Sequence, residues 1–129
     1  MPAIHDAITS KDLPAVRRLM ANDPQSVNAR SELGWTPLHL VAAQGDDTLP
    51  IHEELARLLL AAGADPNARA DGDVTPLHLL ASSGSIESVG VANVLLEAGA
   101  DPQAEAKGGL TPLMLWQHGP EIKELVLGH

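Results

Sequence analysis

A chain of 129 residues with 17 Asp and Glu against 8 Lys and Arg carries a formal charge of -9, which repels phosphate backbones and acidic membrane surfaces and argues against nucleic-acid and lipid partners. It has no cysteine, so disulfides and thiolate metal sites are excluded. With no Phe or Tyr and only two Trp, its core is expected to be aliphatic, and its wealth of Ala and Leu favours helices over strands.

Met1 to Ser10 carry acid and histidine rather than a basic start and an apolar run, and nowhere do 18 apolar residues follow one another. A soluble, cytoplasmic, monomeric chain of one domain is expected. Ile4-His5-Asp6-Ala7-Ile8 reads as a first helix, Val16-Arg17-Arg18-Leu19-Met20 as a second, and Val27-Asn28-Ala29 leads onward, closing a unit over 1–31. The unit over 32–69 starts its first helix at Thr36-Pro37, where the hydroxyl accepts from a free helix N–H and proline presets φ. Gly45 stops that helix and Gly63 the second. Between the two helices, Asp46 to Ile51 form an insertion, and Glu53 and Glu54 in the following first turn suit the helix N-terminus. The unit over 70–105 repeats the plan with Thr75-Pro76, Gly84 and Gly99, and has its own insertion near Ser85 to Gly90. The last unit, 106–129, starts at Thr111-Pro112, shortens at Gly119-Pro120 and ends on Glu121-Ile122-Lys123-Glu124-Leu125-Val126.

Two blocks recur. Thr36-Pro37-Leu38-His39-Leu40 returns 39 residues on at Thr75 and, with Met114 for the histidine, 36 residues further at Thr111. Leu59 to Asn67 returns 36 residues on as Leu95 to Gln103. Leu55, Leu58 and Leu59 in one second helix, and Ala92, Leu95 and Leu96 in the next, place apolar residues at helical spacing. One helix pair cannot bury both faces, so neighbouring pairs must stack.

These blocks resemble the ankyrin repeat, whose period is about 33 residues and whose signature begins T-P-L-H-x-A. The resemblance implies an all-α solenoid of stacked antiparallel helix pairs joined by protruding β-hairpin-like loops, with 1–31 and 106–129 as degenerate capping units. The extra length here falls between helices and leaves the hairpin spacing intact. Three positions depart from the pattern: Asp73 stands where Gly34 and Gly109 stand, Gln103 replaces Asn67, and Met114 replaces the histidine.

Six histidines invite a metal or acid–base reading. His39 and His78 hold equivalent places in adjacent units, and helix axes about 8–10 Å apart keep them from sharing a zinc at about 2.0–2.1 Å. The resemblance makes this histidine structural, bonded to backbone near the repeat junction, and His5 holds the same place in the first unit. A metal-dependent hydrolase using His39, His52 or His78 is therefore the weakest alternative. No phosphate-binding glycine loop or G-x-S-x-G elbow is present, and Asp46-Asp47 and Glu53-Glu54 read as a solvated face. No catalytic residue, metal or cofactor is expected.

The resemblance implies a protein partner, bound through the hairpin tips and the concave side of the first helices. Trp35, Val74 and Leu110 precede each Thr-Pro and form an apolar row, either as interface anchors or as local packing between hairpins. Around them lie Glu32, Leu33, Asp71 and Lys107 at the tips, and Ala43, Gln44, Ser82, Ser83 and His118 on the first helices. An acidic rim around an apolar centre suits a partner patch flanked by Lys or Arg. Trp116 is expected to fill the end of the stack. Self-association through Leu125, Val126 and Leu127 is the structural alternative to partner binding.

Overall fold

The computed structural model describes residues 3–44, 51–83 and 89–112. Among them are six α-helices: α1 (Ala3–Thr9), α2 (Leu13–Asn22), α3 (Pro37–Gln44), α4 (Ile51–Ala61), α5 (Pro76–Ser83) and α6 (Val89–Glu97), with one 3-10 helix at Pro24–Asn28. No strand is present among the described residues, which leave only the isolated bridge of Ala70 with Val74. The chain is thus an all-helical stack. α1 packs on α2 and α3, α3 on α4 and most extensively on α5, and α4 on α6.

Local chemistry sets the helix ends. Asp12 caps α2 by accepting from the Ala15 N–H at 3.1 Å, with proline in the first turn. Asp23 ends that helix, its N–H donating to the Leu19 carbonyl at 2.9 Å, and starts the 3-10 helix with its carboxylate on the Gln25 N–H. At the other helix starts, Thr36 and Thr75 precede Pro37 and Pro76, and each hydroxyl faces the N–H three residues on at 3.4 Å. The histidine at that third position returns the bond: His39 Nδ1 accepts from the Thr36 N–H, and His78 Nδ1 from the Thr75 N–H, both at 3.1 Å. Threonine and histidine therefore make a reciprocal capping box, with imidazole in the part usually taken by Glu or Gln.

The second helices close on Gly63 and Gly99, at φ 102° and 100°. In the first, the Ala64 N–H reaches the Leu59 carbonyl at 2.9 Å and the Gly63 N–H the Leu60 carbonyl at 3.1 Å. The pair of bonds is a Schellman motif, with Ala64 and Leu59 buried together. The same pair of bonds closes α6 from Ala100 and Gly99.

The core is aliphatic throughout, running from Ile4 and Ile8 through Leu38, Val41 and Leu77 to Leu95. In the second helices the most deeply buried residues are Leu55, Ala56 and Leu59 in α4 and, 36 residues on, Val91, Ala92 and Leu95 in α6. Leu58, expected with this set, is only half-buried. Burying each Leu contributes about 1.5–3 kcal/mol, so the stack is held mainly by these stripes. Polar locks join unit to unit. Asn28 donates to the Gly63 carbonyl and accepts from the Asp65 N–H, at 3.2 and 3.0 Å. Asn67 does the same with Gly99 and Asp101, at 3.0 and 2.8 Å.

Candidate partner-binding surface

Three hairpins of one construction project before Thr36, Thr75 and Thr111. The N–H groups of Ser31, Ala70 and Ala106 donate to the carbonyls of Trp35, Val74 and Leu110 at 2.9, 2.8 and 2.8 Å. Gly34, Asp73 and Gly109 occupy the left-handed position, at φ 76°, 60° and 75°. Asp tolerates this region better than most side chains, which is why the departure at Asp73 leaves the turn intact. The tips are tied together, the Asp71 N–H to the Leu33 carbonyl at 3.1 Å and the Lys107 N–H to the Gly72 carbonyl at 2.9 Å. Arg30 clasps two hairpins at once, donating to the carbonyls of Gly34 and Arg69 at 3.0 and 2.7 Å. Arg69 repeats the clasp on Asp73 and Glu105, at 3.2 and 2.9 Å.

Beneath the hairpins, three buried histidines hold the row to the helices. Nε2 of His5, His39 and His78 lies 2.7, 2.8 and 2.8 Å from the carbonyls of Trp35, Val74 and Leu110. A carbonyl only accepts, so Nε2 carries the proton in each ring. In His39 and His78 the bare Nδ1 then accepts from threonine. Burial holds His39 below its ordinary value of 6.5, opposed by the Val74 carbonyl and reinforced by the charge of Arg30. His5 Nδ1 has no partner among the described residues, and Pro2 stands where the repeats have threonine.

Two apolar pits open between hairpins and first helices. The first, about 290 Å³, is lined by His5, Ser31, Glu32, Leu33, Trp35 and Leu40. The second, about 310 Å³, is lined by residues that include Val74, His78, Leu79, Ser82, Lys107 and Leu110. The structure thus brings Glu32, Leu33 and Trp35 together in one place and Val74, Ser82, Lys107 and Leu110 in another. Trp35 is half-buried and stacks on His39 with ring centroids 6.5 Å apart, and Val74 is half-buried as well. Leu33 and Leu110 are 59% and 43% exposed and are the large apolar side chains left open among the described residues. Asp71 is exposed at the middle tip, and Ala43 is half-buried on α3. The side chains of Gln44 and Ser83, and all of His118, Trp116, Met114, Leu125, Val126 and Leu127, lie outside the described residues.

A model of the family described as ankyrin repeats, in three copies, matches residues 4–106. This chain belongs to the ankyrin-repeat family. Among curated proteins it is 34% identical over 65 residues to protein phosphatase 1 regulatory subunit 27 of Homo sapiens, and to the same degree to that of Mus musculus. The match takes in 50% of this chain and 38% of each relative, so the chain spans well under two thirds of the relatives' length.

The first-helix histidine is spoken for by the backbone: His39 and His78 each bond on both ring nitrogens. No group of three or more His, Asp or Glu side chains placed to hold a metal occurs among the described residues, and no described helix is long and apolar enough to cross a membrane. Sequence reading missed Leu40 and Leu79 as pit residues. Both are the fifth residue of the Thr-Pro-Leu-His-Leu block, four after the capping threonine, and a helix turn of 3.6 residues brings that position around to the hairpin side. Arg30 and Arg69 were also missed, although their spacing of 39 matches that of the two threonines.

Proposed function

We propose that this chain is a non-catalytic regulatory module that binds a partner protein across its hairpin tips and first helices, taking an apolar patch flanked by Lys or Arg. The observation that carries the reading is the exposure of Leu33 and Leu110. The core is closed without them, yet both stand at hairpins beside a ready-made pit. Exposed apolar side chains gathered at hollows with a charged rim are what partner surfaces present. The relatives named as phosphatase regulatory subunits support the role of a regulator. They do not transfer the phosphatase as the target, because repeat scaffolds change partner by changing surface residues. A chain of charge -9 favours basic partners through steered association that weakens with salt.

The test is affinity capture from native extract with the wild type and with a Leu33→Ala, Leu110→Ala double variant whose circular dichroism is unchanged. A partner retained by the wild type should lose affinity tenfold or more on the variant, and equal retention would refute this choice of surface. Trp35→Ala serves as a second arm, in which loss of binding is interpreted only alongside unchanged stability, since Trp35 stacks on His39.

A further inference from the structure

The two pits differ in one respect that bears on the partner's chemistry. Each is floored by a buried histidine and walled by the next hairpin, but the rim of the first carries Glu32 and the rim of the second carries Lys107. Both side chains are exposed. Arg30 and Arg69 line neither pit, being drawn onto hairpin carbonyls. The surface therefore has a direction, acidic at one anchor point and basic at the other.

Its spacing follows from the stack. His5 and His78 are two units apart, and neighbouring packed helices lie about 8–10 Å apart, so the pits are separated by roughly 16–20 Å. An extended chain covers that distance in about five or six residues at 3.3 Å each. A helix needs about eleven to thirteen at 1.5 Å each, and with side chains it is about 10–12 Å wide. The tips are bonded to one another at Leu33 with Asp71 and at Gly72 with Lys107, which makes a continuous rim from one pit to the other, a path that an extended segment follows residue by residue. Each pit is at the bottom of the size range of sites that enclose a whole small molecule, about 300–1,000 Å³, and suits one large side chain.

Resting on the partner-binding reading above, we propose that the occupant is an extended segment of the partner protein with two apolar anchors five or six residues apart. It carries a Lys or Arg beside the anchor in the Glu32 pit and an Asp or Glu beside the anchor in the Lys107 pit. Exposed ion pairs add little affinity each, so their part is to set the direction in which the segment lies, while the anchors hold it.

A displayed library of random peptides, long enough to hold either spacing, tests this on the purified full chain. Selection against the wild type should enrich two apolar positions five or six apart, with opposite charges beside them. Enrichment should vanish on the Leu33→Ala, Leu110→Ala variant. On a Glu32→Lys, Lys107→Glu variant the preferred charges should exchange ends, with the selected wild-type peptides weakened several-fold. Three results would overturn the inference alone: a single anchor, a spacing near eleven, or a charge preference that the exchange leaves unmoved. Peptides that bind wild type and double leucine variant alike, or no enrichment at all, would overturn both the inference and the surface on which it rests.

Discussion

His5 and His39 form a natural pair for measuring what the capping box contributes. Both rings are wholly buried, and both donate from Nε2 to the carbonyl of the next hairpin, at 2.7 and 2.8 Å. They differ at Nδ1, which in His39 accepts from the Thr36 N–H and pairs with its hydroxyl at 2.8 Å, while in His5 it has no described partner. Truncating either ring to alanine opens a cavity costing about 2–4 kcal/mol, by comparison with other buried large-to-small changes. His39→Ala also leaves a buried N–H and hydroxyl of Thr36 without their partner, which costs a further 1–3 kcal/mol or so. The excess of His39→Ala over His5→Ala is therefore about 1–3 kcal/mol, a large share of a typical total of about 5–15. Urea unfolding followed by far-ultraviolet circular dichroism reads it as a midpoint lower by an amount on the order of 1 M for a chain of this size. In a double-mutant cycle, Thr36→Ala and His39→Ala should fall short of additivity by about 1–2 kcal/mol. Equal midpoints for the two histidine variants, or strict additivity in the cycle, would refute the capping-box account.

Acidification gives a second reading of the same site. Because burial lowers the folded value of His39 below 6.5, the unfolded chain binds the proton first, so His39's contribution is intact above 6.5 and is lost as pH falls from there through the folded value. Tm should drop over that window, and His39→Leu should flatten the drop. Gly34→Ala should destabilise by about 1–3 kcal/mol: its φ of 76° disfavours a side chain, and the new Cβ would lie 3.4 Å from the Asp71 carboxylate and 3.5 Å from the Ala70 backbone. Asp73→Gly, at the matching place, should stay within about 0.5 kcal/mol, the relief of the left-handed strain being offset by glycine's greater unfolded freedom. Asn67→Ala removes both bonds to the Gly99–Asp101 turn and should cost about 1–2 kcal/mol in denaturant melts.

Helix starts and stops were legible because each is written in one or two residues whose backbone preference dominates locally: Thr-Pro at the start of α3 and α5, Gly63 and Gly99 at the ends of α4 and α6. The structural part of His39 was legible from its recurrence at His78. The capping-box bond was not, since histidine is absent from the usual box residues and only the geometry shows the ring turned back on its own threonine. Leu40 and Leu79 read as core because they sit inside an apolar block, and which apolar residue of a helix faces the hairpins depends on how the hairpins fold over it. The arginine clasps escaped for a related reason: a guanidinium donating to carbonyls of two different hairpins depends on the stacking itself. Of the expected apolar row, Trp35 and Val74 turn partly inward, and Leu33, one step from the turn glycine, takes the outer position instead.

How the scaffold is held bears directly on how it binds. Every hairpin carbonyl at Trp35, Val74 and Leu110 accepts twice, from its own hairpin and from the histidine of the preceding unit. The hairpin therefore cannot shift without breaking a bond into the helical layer. The residues that secure this arrangement are threonine, proline, histidine, asparagine, the turn glycines and the clasping Arg30 and Arg69. Among the described residues, Glu32, Leu33, Lys107 and Leu110 contribute no side-chain hydrogen bond that helps to secure it. On the proposed reading those four side chains answer to a partner, on a surface whose backbone is already in place. Less ordering is then required on association, so modest contacts at the two pits would suffice for the proposed complex. If hydrogen exchange on the free chain showed the Trp35, Val74 and Leu110 hairpins opening as readily as frayed termini, that pre-organisation would be absent, and binding would have to supply the order in place of the histidine row.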